Sequence, residues 1–120
     1  MTNEELEQDI QDKGLTAPRV MLADVEENIS SEHYFTAAQG ALQCALEEDR
    51  DDEQEQPVPL ALLTFCVLVL RNGFTVTGES ACVSPENFDT EIGRKIARQN
   101  AIAKVWPLMG YALRNRLSGV

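Results

Sequence analysis

The sequence predicts one α+β domain. A three-stranded antiparallel sheet is joined by a short N-terminal helix and a long, kinked C-terminal helix, in the order α-β-β-β-α. Three observations lead there. The stretch "TFCVLVLRNGFTVTGES" sets two apolar runs on either side of Asn72-Gly73, a pair that tolerates positive φ and marks a tight hairpin. Residues 84–117 repeat apolar positions at helical spacing. The segment "EEDRDDEQEQPVP" separates this scaffold from what precedes it by a run of acids closed by two prolines.

At 120 residues the chain has the size of one domain, and its hydrophobic content of 43% supplies one modest core. The division expected is an acidic tail over residues 1–20 and a domain over 21–120, with a mobile acidic loop at 40–58. The formal charge of −10 is segregated. Residues 1–57 hold 16 acids against three bases, or −13; residues 58–120 hold four acids against seven bases, or +3. The acidic half repels phosphate and anionic membranes at long range. No apolar run approaches the roughly 20 residues of a membrane span, and the start "MTNEELEQDI" lacks the basic and apolar regions of a signal peptide. Three cysteines, Cys44, Cys66 and Cys82, form no CxxC pair and suit reduced thiols in a cytoplasm.

Residues 1–15 place only Leu6 and Ile10 at i,i+4 spacing, which predicts a frayed or marginal helix. "PRVMLADVEENI" reads as a short helix with Leu22, Val25 and Ile29 on one face, and "HYFTA" as a short strand. Residues 41–46 suit at most one helical turn within the loop. Reading Asn72-Gly73 as a two-residue type I′ turn sets Leu70 opposite Thr75 and Val69 opposite Val76. One sheet face then holds the core residues Phe65, Val67, Val69, Phe74 and Val76, completed by Ile92, Ile96 and Trp106. The other face, with Leu62, Leu68 and Leu70, is too apolar for solvent. It predicts cover by another element or by a second copy in a homodimer. In "SPENFDTEIGRKIARQNAIAKVWPLMGYALRNRL" the long helix starts with a cap at Ser84, or nearer Asn87 or Asp89. Pro107 predicts a kink or a restart.

From Leu63 onward the chain is similar to a known family. "NGFTVTGESACVSPENFD", "EIGRKIA" and "WPLMGY", with "SEHYFTA" upstream, resemble the small phage proteins grouped with the gene 49 product of phage N4 and the gene 66 product of phage Sf6. The resemblance covers roughly residues 23–117. It implies a phage or prophage gene working in the cytoplasm of a bacterial host, and it assigns no residue a role. The element order and the basic trio Arg94, Lys95 and Arg98 also resemble a double-stranded-RNA-binding domain, in which such a trio straddles phosphates. Here the loop after the first strand is acidic, which opposes nucleic acid binding by the intact chain.

The candidate residues are few. Arg94, Lys95, Arg98 and Lys104 form a basic helix face, either solvated or binding. Gly78, Ser80, Ser84 and Asn87 surround a turn near a helix start, where free amides can hold an anion. His33 stands alone without a metal-ligand or nucleophile pattern. Glu79 and Glu86 read as a strand-end and a helix-start acid rather than a catalytic pair. Trp106 and Tyr111 suit a core anchor or an interface. The sequence thus predicts no enzyme, cofactor or metal. It points to an accessory protein that binds and neutralises or redirects a host or phage protein, with duplex RNA or a small nucleotide signal as alternative targets.

Overall fold

The computed structural model describes residues 2–49 and 58–120. Its elements are α1 (Asn3–Asp12), α2 (Leu22–Glu27), β1 (Ile29–Thr36), α3 (Ala37–Glu47), α4 (Val58–Ala61), β2 (Leu63–Leu70), β3 (Thr75–Ala81), a 3-10 turn (Pro85–Asn87) and α5 (Thr90–Ser118). The strands form one antiparallel sheet in the order β1-β2-β3, and α5 packs on one face of it. The expected α+β architecture is therefore present, with α1 ahead of it and α3 and α4 inserted between β1 and β2.

The hairpin departs from expectation by one residue. Val69 faces Thr75, Leu68 faces Val76 and Cys66 faces Gly78. The amide of Gly73 donates to the Leu70 carbonyl at 2.9 Å, and the amide of Leu70 donates to the Phe74 carbonyl at 2.8 Å. The loop therefore holds Arg71, Asn72 and Gly73. Among these, only Gly73 has positive φ, at 88°. This is the three-residue loop in which a type I turn ends in a left-handed glycine, not the type I′ turn expected. The side chain of Asn72 accepts from the Phe74 amide at 2.9 Å, a local bond that favours this geometry.

That one residue turns β2 over relative to β3, because side chains alternate with period two, while Val76 of β3 stays in the core as expected. The buried face carries Thr64, Cys66, Leu68, Leu70 and Val76. Phe65, Val67 and Val69, expected in the core, are only half-buried on the opposite face, and Phe74 is 56% exposed. The apolar face that seemed to need a second copy is covered within the chain, by α5 and by Val25 of α2.

α5 reaches this face through small residues. Gly93, Ala97, Ala101 and Val105 are buried at i,i+4 spacing, with Ile102 beside them. Gly78 in β3 lies directly beneath. A Cβ there would stand 2.2 Å from both the Ala97 carbonyl oxygen and the Ala101 amide nitrogen, so helix and strand meet backbone to backbone. Ile92 and Ile96, expected in the core, are displaced to the outside because the adjacent stripe carries the residues small enough for that contact. Asp89 caps the helix, accepting from the Ile92 amide at 2.9 Å, and Ser84 instead precedes the 3-10 turn. α5 runs uninterrupted through Pro107 rather than restarting. Trp106 and Met109, on either side of it, pack against one core.

Two helices are longer than their periodicity suggested. α3 occupies residues expected to be loop, up to Glu47. Thr36 caps it, accepting from the Gln39 amide, while the Gln39 side chain accepts from the Thr36 amide at 2.9 Å. Such reciprocal bonds satisfy two orphan donors and stabilise a helix start. The remainder of the expected acidic loop, residues 50–57, lies outside the described residues. α1 has the same device in Thr2 and Glu5. It is tied down where Arg19 donates to Glu7 at 2.8 Å; that bond is the chief cause holding the Glu7 carboxyl below its usual range.

Candidate ligand groove

The basic face of α5 is largely engaged inside the chain. Arg98 donates through Nη2 and Nη1 to the two carboxylate oxygens of Glu26, at 2.7 and 3.3 Å. Its Nε donates to Glu32 at 3.0 Å. The other Glu32 oxygen accepts from the Tyr34 hydroxyl at 2.9 Å. The guanidinium of Arg94 lies 5.5 Å from the centre of the Tyr34 ring, within cation–π range. Lys95 pairs with Glu91 at 3.2 Å, one helical turn back. Lys104 is exposed. A fork that chelates a carboxylate has few donors left for phosphate, so the trio does not present the free cations that the RNA-binding pattern needs.

Titration follows from this network. Burial pushes the Glu32 carboxyl up, but the bonds from Tyr34 and Arg98 outweigh it and hold the group below its ordinary value of 4.5. Burial, then the neighbouring Glu32, raises the Tyr34 phenol well above its usual range. Burial also raises the Cys66 thiol, which suits an inert core residue. Hydrogen bonding to Glu26 is the main cause that raises Arg98 further.

Three of the four residues expected around a ligand turn do come together. Ser80, Ser84 and Asn87 line a groove of about 320 Å³ between the end of β3 and the start of α5. Gly78 does not belong to it; it is sealed under α5 by the contact with Ala97 and Ala101. The groove floor is apolar, with Leu62, Phe88, Ile92 and Ile96. Val83 on its rim is 97% exposed. The Cys82 thiol donates to the Ser84 carbonyl at 3.2 Å, which fixes the rim. Asp89 also lines the groove, and its carboxylate already occupies the positive end of α5. An anion at that helix start would meet a resident carboxylate. The surface suits an apolar or aromatic group held by hydroxyl and amide contacts.

Sequence reasoning missed the apolar half of this groove, because Ile92 and Ile96 were expected to turn inward. The signal was present in the alternation of "EIGRKIA". A glycine and an alanine four residues apart, one position after each isoleucine, mark the side where a backbone can approach.

Residues 20–117 match the phage protein family described as N4 Gp49/phage Sf6 gene 66. The chain belongs to that family. No curated protein and no solved structure gives a significant match. Membership identifies a phage protein family whose matched region includes the sheet, α5 up to Leu117 and the whole groove. Among the described residues, no helix is long and apolar enough to cross a membrane, and no group of histidine, cysteine and carboxylate side chains is placed to hold a metal ion.

Proposed function

We propose that this member of the phage family is an accessory protein that acts by binding, not by catalysis. It neutralises or redirects a component of the host cytoplasm, as in host takeover or counter-defence. The observation that carries this reading is the groove between β3 and α5. Ile92, Ile96 and Val83 are exposed there beside Ser80, Ser84 and Asn87, which is the composition of a recognition site: apolar contact area with a few orienting polar groups. An affinity capture of the full tagged chain from bacterial lysate, in parallel with an Ile96→Glu variant, tests it. A host protein or small molecule retained by the wild type and lost from the variant supports the reading. Equal retention by both overturns the placement of the site.

A second reading has its own support. The groove volume of about 320 Å³ lies at the small-molecule scale of roughly 300–1,000 Å³, and its hydroxyl and amide groups can read the edge of a heterocyclic base. Under this reading the protein sequesters a small nucleotide signal, gripping the base and leaving the phosphates outside the carboxylate-bearing helix start. Heat release followed by mass spectrometry separates the two: a nucleotide in the supernatant favours sequestration, and a co-purifying polypeptide favours the first reading.

A further inference from the structure

α1 is loosely committed to the rest of the chain. None of its residues is buried, and Leu6, one of its two aliphatic side chains, is 43% exposed. It lies outside residues 20–117, the region that matches the family, and residues 13–18, which join it to that region, are all exposed. A free helix of 10 residues is marginal in water, so α1 owes its place to a seat on the domain.

That seat centres on Trp106. Leu6, Glu7 and Ile10 of α1 share a hollow with Arg19, Val20 and Trp106. The fit is partial. This hollow keeps about 280 Å³ open. A second one, of about 510 Å³, borders the first turn of α1 and is lined by Leu22, Ile102 and Trp106 on the domain side. Packed interiors leave few voids larger than a water molecule. The polar hold is equally thin. Among the described residues, Glu7 is the one acid of α1 that bonds outside the helix and its caps, to Arg19 at 2.8 Å. Glu5 accepts from the Thr2 amide, Asp9 pairs with Lys13, and Asp12 accepts from Gln8.

We infer that the surface around Trp106 is a docking seat for a helix of another protein, and that α1 is its resident strap, which the partner displaces. The occupant is defined by what α1 supplies and what it leaves out. Arg19 takes a carboxylate, and the hollow around it takes apolar side chains one helical turn apart. Leu6, Glu7 and Ile10 have that pattern but underfill the space. The other acids of α1 make no bond to the seat and are repelled by a chain of net charge −10. The partner is therefore an amphipathic helix with one carboxylate beside bulky apolar residues, neutral or basic elsewhere. A short linker gives the strap an effective concentration on the order of millimolar, so a poor fit is enough at rest and a better one displaces it. The seat shares no lining residue with the groove between β3 and α5, and the function proposed for that groove is not needed for it.

Trp106 is the only tryptophan of the chain, so its fluorescence reports the seat directly. In the full chain, Leu6→Asp with Ile10→Asp is expected to red-shift its emission and to increase its quenching by acrylamide. Glu7→Arg should act in the same direction, and adding Arg19→Glu should reverse the change, a rescue that unfolding would not produce. Circular dichroism checks that each variant is folded. Docking is read by fluorescence anisotropy with two fluorescein-labelled peptides, one copying residues 2–15 and the other carrying Leu6→Phe in the same sequence. Both are expected to bind the Leu6→Asp/Ile10→Asp chain, the phenylalanine peptide more tightly. Both should bind the wild type about tenfold more weakly or worse, because the tethered strap competes. Unchanged Trp106 emission in the released chains overturns the strap. Peptides that bind neither chain, or bind both alike, overturn the seat, and equal affinity of the two peptides overturns the chemistry assigned to its occupant.

Discussion

The two halves of α5 differ in a way that reverses the usual association of size with burial. The proximal half buries Gly93, Ala97 and Ala101 completely or nearly so, while the larger Ile92 and Ile96 face outward. The distal half carries Leu108, Tyr111 and Leu117, all exposed, with Tyr111 at 72%. Close approach explains the first half: where a helix touches a strand backbone at Gly78, only small residues fit between them. In the second half Trp106 and Met109 still pack against the core, but no residue beyond Val105 is fully buried. One continuous helix thus clamps the sheet with small side chains in its first half and carries larger ones, open to solvent, in its second.

The comparison breaks most severely at the clamp. Gly78→Ala puts a methyl group 2.2 Å from two backbone atoms of α5 and 2.8 Å from the Cα of Ala101, none of which can rotate away. The helix must lift, exposing Leu68 and Cys66. We expect a loss of about 3–5 kcal/mol, at the upper end of single substitutions, read as a collapse of the thermal midpoint. Gly110→Ala, in the distal half, has nothing within 4 Å of its added Cβ. It should stabilise slightly through higher helix propensity. If the two substitutions behave alike, the division of the helix is wrong.

The next largest effect concerns what fastens the proximal half sideways to β1 and α2. Arg98→Gln leaves Glu26 and Glu32 facing each other without their cation. Both carboxylates are more than a third exposed, so solvent screens them. The expected cost is about 1–2 kcal/mol rather than the 3–5 kcal/mol of a fully buried pair. The pH dependence has a definite sign. Glu32 is held below 4.5 in the folded chain, so the unfolded chain binds its proton first as pH falls. The stabilisation is complete above the unfolded value and is lost as pH drops through the folded one. Denaturant midpoints measured between pH 7 and pH 3 should fall less steeply in Arg98→Gln than in the wild type.

This network also shows where the sequence stops being legible. That β2, β3 and a C-terminal helix exist follows from local pattern: apolar runs around Asn72-Gly73, and acids at the helix start with arginines at its end. Which face of the sheet is buried does not follow, because it depends on whether the loop holds two residues or three. Both geometries suit the same dipeptide. That uncertainty propagated: once Phe65 and Val67 were assigned inward, Ile92 and Ile96 had to meet them. The helix caps were legible and overlooked, since "TAAQ" at Thr36 and "TNEE" at Thr2 both have capping-box spacing. The pairing of Arg98 with Glu26 and Glu32 was not, because it joins positions 66 and 72 residues apart. The groove was legible in its polar members, which lie close in sequence, and hidden in its apolar ones.

Gly73→Val tests the loop and should cost less than the change at Gly78 and no more than the one at Arg98. Gly73 has φ of 88° with no atom within 4 Å of an added Cβ. The penalty is backbone strain alone, about 1–2 kcal/mol for a residue forced into the left-handed region. Gly73→Asn should recover most of it, since asparagine tolerates that region. A thermal midpoint unchanged by valine would mean that the loop has another conformation, and with it another sheet register.

The smallest effect is expected on the outward side of α5, where Lys95 and Lys104 are both exposed. Lys95→Gln removes a pair with Glu91 that is open to solvent on both sides, and Lys104 lies two residues before the distal half begins. Replacing both should move stability by less than about 0.5 kcal/mol, because the clamp beneath them does not depend on charge. The same variant asks whether this side binds nucleic acid. Of the basic residues expected to do so, Arg98 chelates Glu26 and Arg94 lies over Tyr34, which leaves the two lysines as the freest cations. Two contacts give a weak salt slope and little affinity, and the −13 of the first 57 residues opposes even that. We therefore expect no duplex RNA binding near 150 mM salt, roughly physiological, by the wild type or the double variant in an electrophoretic shift assay. A tight, salt-sensitive complex that disappears when Lys95 and Lys104 become glutamine would make the outer face of α5, and not the β3 groove, the working surface of the protein.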